Sequence, residues 1–163
     1  MGTHVRNVIV NVVAGAYVLP HTARLKLMRM CGVTVGSGTI IKSRCTFTGD
    51  VSISIGANCY VGHRCLLDAS APITVEDGVY MAHRVNILTT THNIGGPKQR
   101  AATPPVHKPV TIGEGCWLAT DVTVLPGVTI ATGCVIAAGA VVTADCGADG
   151  LYAGVPAKRI REL

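Results

Sequence analysis

The segment I-S-I-G-A-N-C-Y-V-G-H-R-C-L-L-D-A-S-A-P, from Ile53 to Pro72, is followed at once by I-T-V-E-D-G-V-Y-M-A-H-R-V-N-I-L-T-T-T-H, from Ile73 to His92. The second segment repeats the first in pattern, and the opening phrase recurs as V-T-V-G from Val33 and V-T-I-G from Val110. Cutting the chain every six residues from the third residue of each phrase gives blocks that begin at Val35, Ile41, Phe47; Ile55, Val61, Leu67; Val75, Met81, Ile87; Ile112, Leu118, Val124; and Ile130, Ile136, Val142. Every first position is large and apolar. The fifth positions are Thr39, Cys45, Val51; Cys59, Cys65, Ala71; Val79, Val85, Thr91; Cys116, Val122, Val128; and Cys134, Ala140, Cys146, and all are small. One bulky and one small inward residue in every block means a short strand and a turn, three times per coil. The pattern predicts an all-β solenoid, a triangular parallel β-helix of about five coils over residues 33–147.

Composition agrees. Of 163 residues, 48% are hydrophobic, which excludes a disordered chain, while aromatics are only 4%, so Val, Ile, Ala and the 19 Gly must build the core. The 14 Lys and Arg against 9 Asp and Glu give a basic excess that favours an anionic ligand. That excess is too diffuse, and base-stacking aromatics too few, for a nucleic-acid partner. Seven Cys without a C-x-x-C pair suggest neither a disulfide framework nor a zinc ribbon, and a reducing cytoplasm is expected. Six of the seven, all but Cys31, fall in the small inward slot and read as packing residues. The apolar run from Val8 to Leu19 is shorter than the ~20 residues of a membrane span, and no signal-peptide pattern accompanies it.

Outside the repeat, Val5, Val8, Ile9, Val12, Ala16 and Leu19 recur at helical spacing, with Asn7 and Asn11 off the stripe. T-A-R-L-K-L-M-R-M-C-G after Pro20 reads as a second, basic helix ended by Gly32. Residues 1–32 are therefore expected to form a helical cap over the first coil, and weak membrane-surface association of the basic helix stays open. Residues 148–163 are expected to form a C-terminal helical tail. Between the third and fourth coils, residues 93–109 hold four Pro and two Gly and read as an excursion loop that walls or covers a site, and His92 stands at its entrance. Arg44, Arg64 and Arg84 recur at one corner, with His63 and His83 beside the last two. Like charges so stacked either splay into water or face anions.

The hexad pattern resembles the left-handed β-helix of the hexapeptide-repeat acyltransferases, over roughly residues 33–147. The hand comes from that resemblance alone, since general parallel crossovers are right-handed. T-T-T-H-N at His92, followed by the Pro-rich loop and K-P-V-T-I-G-E-G-C-W-L-A-T, is similar to the motif of maltose, galactoside and nodulation-factor O-acetyltransferases, and the helical start is closer to capsule and colanic-acid type enzymes. The resemblance implies an acetyl-CoA-dependent O-acetyltransferase, with His92 as the general base that takes a sugar hydroxyl's proton and no metal requirement. It further implies Trp117, Thr120, Ala138, Gly139 and Thr143 as coenzyme contacts. The tail A-G-V-P-A-K-R-I-R-E-L adds Lys158 and Arg161, with Arg159 as a further basic candidate, for the coenzyme phosphates. Trp117 also suits a subunit contact, because the family assembles as homotrimers with sites between solenoids.

Two departures stand out. Where the family often has Lys after Thr143, this chain has Ala144, and where galactoside enzymes place an acceptor-contacting Asn, it has Gly62. Asp68, His83 and Arg84 become the candidate acceptor contacts. Alternatives are an amino-sugar N-acetyltransferase, a zinc carbonic-anhydrase-like solenoid, for which the H-x-x-x-x-H pair is missing, and a non-enzymatic binding solenoid.

Overall fold

The computed structural model describes residues 3–49 and 52–163. Three parallel sheets form the walls of a prism. The first face stacks Val33–Val35, Ile53–Ile55, Ile73–Val75, Val110–Ile112 and Thr129–Ile130. The second stacks Ile40–Ile41, Tyr60–Val61, Tyr80–Met81, Trp117–Leu118, Val135–Ile136 and Gly150–Ala153. The third stacks Thr46–Thr48, Leu66–Asp68, Asn86–Leu88, Thr123–Val124 and Val141–Val142. Five coils are complete, and Cys146, bridged to Ile130, begins a sixth with Gly150–Ala153.

The register follows the hexads. Ile41 pairs with Val61, Val61 with Met81, Met81 with Leu118 and Leu118 with Ile136, and all five are fully buried. Phe47, Leu67, Ile87, Val124 and Val142 make the equivalent column inside the third face. Small fifth-position residues fill the corners between columns. Val51 lies outside the described residues. Thr91 departs from the pattern: it is exposed, and Thr89 is buried in its stead, its hydroxyl donating to the Asp68 carbonyl at 2.6 Å and accepting from the Ala71 amide at 3.0 Å. The chain therefore leaves the prism before Thr90, because a hairpin outside offers Thr90 and Thr91 antiparallel partners in His107 and Val106.

The N-terminal cap is held by polar side chains on the open end of the first coil. Helix α1, Thr3–Val8, runs into a π-helical turn, Ile9–Val13, and helix α2 spans His21–Met30. The Asn11 side-chain amide donates to the Phe47 carbonyl at 2.9 Å and accepts from the Phe47 amide at 2.8 Å, standing in for a neighbouring strand. Arg24 is buried, and its guanidinium donates to the carbonyls of Ala14, Ile41, Ala16 and Leu19. These bonds reverse the expected helix face: Val10 and Ala14 are buried beside Asn11, while Val5, Val8 and Val12 are exposed. The basic helix accordingly spends Arg24 on the fold, and Arg29 likewise donates to the Val35 carbonyl. No helix among the described residues is long and apolar enough to cross a membrane.

The expected C-terminal helix is instead a strand. Lys158–Glu162 pairs antiparallel with Gly150–Ala153. Gly154 and Pro156 interrupt any helix there, and the last strand of the second face would otherwise present unpaired backbone groups to solvent.

Replacing Leu118 by Ala removes side-chain atoms from a fully buried column. The expected loss is about 2–5 kcal/mol of unfolding free energy, read by urea denaturation. All seven thiols are buried and unpaired, and burial pushes Cys116 up to about 11 and Cys146 up to about 12. The native chain is thus expected to resist a thiolate-directed reagent at neutral pH and to titrate seven thiols once unfolded.

Candidate active site

The edge between the second and third faces turns through one left-handed residue per coil. That residue is Arg44, Arg64 and Arg84, with φ of 62°, 60° and 59°, then Asp121 at 63° and Gly139 at 71°. At the edge between the first and second faces the same conformation falls to Gly38, Asn58, Gly78, Gly115 and Gly133. Left-handed backbone costs a residue with a bulky side chain roughly 1–2 kcal/mol, which Gly avoids. Arg84 grips Asp121 with two bonds of 2.6 and 2.7 Å. The hydrogen bond from Arg84 lowers the Asp121 carboxyl below its usual range, and the same bond raises the guanidinium.

Rings line this edge beside the arginines. The His63 amide donates to His83 Nδ1 at 3.0 Å, so the neutral His83 ring carries its proton on Nε2. Ser43 Oγ lies 3.1 Å from His63 Nδ1. Tyr17, delivered by the cap, lies with its ring centroid 6.4 Å from that of His63, which is 5.4 Å from that of His83. With Arg44, Arg64 and Arg84 these rings bound a groove of about 430 Å³. Gly62 leaves no room for a side chain: a Cβ would stand 2.6 Å from the Ala82 backbone.

The excursion loop is an ordered hairpin on the edge between the third and first faces. Beyond the Thr90–Thr91 pairing, Ile94 bridges Ala101, and the Gly95 amide donates to the Arg100 carbonyl at 2.8 Å. His92 sits exposed on the outgoing arm. Its Nδ1 is 2.9 Å from the Ala102 carbonyl on the returning arm, and a carbonyl can only accept, so Nδ1 carries the proton. Nε2 is left with a free lone pair. The hairpin thus fixes both the tautomer and the direction of the ring.

Of the candidate coenzyme residues, Trp117 stands half exposed on the second face, Thr120 occupies the groove-side corner of the fourth coil, and Ala138 and Gly139 the same corner of the fifth. The Gly139 amide bonds the Thr120 carbonyl at 2.9 Å, and a Cβ on Gly139 would meet open space. Lys158 and Arg161 lie exposed on the terminal strand bordering that second face. Thr143 lies past the third face, on the His92 edge. Asp68 accepts the Thr48 hydroxyl at 2.9 Å on the third face, and His83 and Arg84 line the groove. Sequence reasoning singled out the arginine corner but missed Tyr17, whose place depends on how the cap docks. Among the described residues, no three His, Cys, Asp or Glu side chains gather as metal ligands would.

Residues 109–144 match the model of the bacterial transferase hexapeptide (six repeats), and residues 52–81 match that of the hexapeptide repeat of succinyl-transferase. The chain is thus built from hexapeptide repeats. A hexapeptide-repeat containing acetyltransferase of Vibrio cholerae O1 biovar eltor, complexed with acetyl coenzyme A, superposes with a TM-score of 0.86 at 26% identity, over 99% of this chain and 85% of that one. Galactoside acetyltransferase in complex with coenzyme A gives 0.88 at 25% identity, over 98% and 80%. The parallel solenoid agrees with the left-handed β-helix expected from the hexad pattern's resemblance. A Staphylococcus haemolyticus (strain JCSC1435) protein, whose own name marks its acetyltransferase activity as provisional, is 53% identical over 74 residues, 45% of this chain. The match spans 38% of that relative's length.

The fixed tautomer is directly observable. In nitrogen NMR of the neutral protein, the His92 Nε2 signal is expected at the position of an unprotonated ring nitrogen, and removing residues 95–100 of the hairpin tip is expected to mix the tautomers.

Proposed function

We propose that the protein is an acetyl-CoA-dependent O-acetyltransferase acting on a hydroxyl of a sugar or similar small molecule, with His92 as general base. The observation that carries this proposal is the bond from His92 Nδ1 to the Ala102 carbonyl, which leaves Nε2 exposed and basic at the mouth of an ordered hairpin. The fold and coenzyme-bound structures of the similar acetyltransferases support it.

Bound acetyl-CoA supplies an acyl group already activated as a thioester, so one base suffices. His92 Nε2 takes the proton from the acceptor hydroxyl as its oxygen attacks, then delivers that proton to the departing sulfur. Trp117, the open backbone at Ala138 and Gly139, and the Lys158 and Arg161 charges fit a long, apolar and phosphate-bearing donor. Thr120 and Thr143 complete the proposed coenzyme contacts, and Asp68, His83 and Arg84 the acceptor contacts.

His92 and the arginine groove occupy opposite edges of the third face, so one protomer does not bring them together. A homotrimer, in which a neighbour's hairpin meets the groove, resolves this. Its natural contact is the outward column of the second face, where Ile40, Tyr60, Tyr80, Trp117, Val135 and Leu151 stand in register. The buried, unpaired thiols suit a reducing cytoplasm.

His92→Ala is expected to lower turnover by about 10²–10⁴-fold with acetyl-CoA affinity by calorimetry unchanged. Wild-type turnover in the variant removes His92 from the mechanism, and an unliganded wild-type protein at millimolar acetyl-CoA removes the transferase.

A further inference from the structure

The groove lined by Tyr17, Arg44, His63, Arg64, His83 and Arg84 is cationic without a structural need to be so. Its lining contains three arginines and no carboxylate. Among the described residues the ion pairs are Arg84–Asp121 and Arg159–Glu162, and the Arg44 and Arg64 guanidiniums, both on exposed residues, take part in neither. Coil stacking holds their backbones one layer apart, ~4.8 Å, so the two like charges repel unless something negative lies between them.

Nor does the turn call for arginine. Each of the three adopts left-handed backbone that the neighbouring edge assigns to Gly and Asn, and that the next coils of this same edge assign to Asp121 and Gly139. Local strain and mutual repulsion are thus both tolerated at one spot, which marks a site shaped for a ligand. Guanidinium forks match the oxygen geometry of phosphate and carboxylate. Beside them, the Tyr17, His63 and His83 rings follow one another along the groove with centroids 6.4 and 5.4 Å apart, and the open groove of about 430 Å³ suits one substituted sugar ring.

We infer that the groove binds an oxyanion carried on a hydroxylated ring, so that the acceptor is an acidic sugar. Arg44 and Arg64 hold the charged group, and the ring lies against Tyr17 and His63. This inference rests on the transferase proposal for its acceptor role, but the binding itself does not.

The test titrates the full chain calorimetrically, at low salt, with glucose 1-phosphate, glucuronate and glucose. At least one charged sugar is expected to bind ten or more times tighter than glucose, and the tighter of the two identifies the oxyanion. Its affinity should fall as sodium chloride is added. Arg44→Asn and Arg64→Asn, which suit the left-handed turn, are expected to weaken that binding at least tenfold without lowering the thermal midpoint. Lys26→Ala on α2 should bind as the wild type does. Equal binding of charged and neutral sugars, undiminished binding by both Asn variants, or displacement of the charged sugar by coenzyme A would each overturn the inference. A parallel acetyl-CoA titration separates the two proposals: acetyl-CoA bound without any charged sugar overturns the groove alone, and the reverse overturns the transferase and the acceptor role while the anion site stands.

Discussion

Every coil must place one large and one small side chain inward per face and set them on their equivalents in the coil below. The columns from Ile41 to Ile136 and from Phe47 to Val142 are the result, fully or almost fully buried along the length of the prism. Because their backbones are joined by parallel hydrogen bonds in register, a strand cannot gain or lose a residue within a face without breaking a column. Insertions are therefore confined to the edges. The one large insertion, the hairpin bearing His92, leaves from an edge and returns to it, with Val110 taking up the register that Ile73 sets.

The same constraint turns each edge into a ladder. A residue type placed at a corner faces its counterpart one strand spacing away, so chemistry on an edge is amplified or penalised by repetition. Arginine at three successive corners is the clearest instance, and the salt bridge from Arg84 to Asp121 ends the run by changing its sign. Rings repeat in the same way, as in the stacked Tyr60 and Tyr80, whose centroids lie 4.5 Å apart on the second face.

A solenoid has two open ends, and each is closed by a different device. At the first coil, the side chains of Asn11 and Arg24 satisfy backbone groups that a further coil would have satisfied. At the last, the chain doubles back on itself as Lys158–Glu162. The upper closure also has a chemical consequence. The turn following Ala14 carries Tyr17 over His63, and without that ring the groove would lack its end wall.

The periodic part of the molecule was legible because inward and outward positions alternate locally and the hexad repeats them fifteen times over. The places where sequence reasoning erred are aperiodic. Thr89 rather than Thr91 is the last inward residue because a hairpin partner at residues 106–107 pulls the chain away early. Val10 and Ala14 rather than Val5 and Val8 face the prism because Asn11 is bound to Phe47. The tail is a strand because an unpaired edge awaits it. What the sequence by itself determined was the coil, its interior and the residue types at each corner, all set by spacing within a few positions. Only the tertiary structure decided which way the cap faces, that Arg24 is interior, that Tyr17 closes the groove, and that His92 and the arginines occupy separate edges, because each depends on contacts between segments that no short-range pattern links.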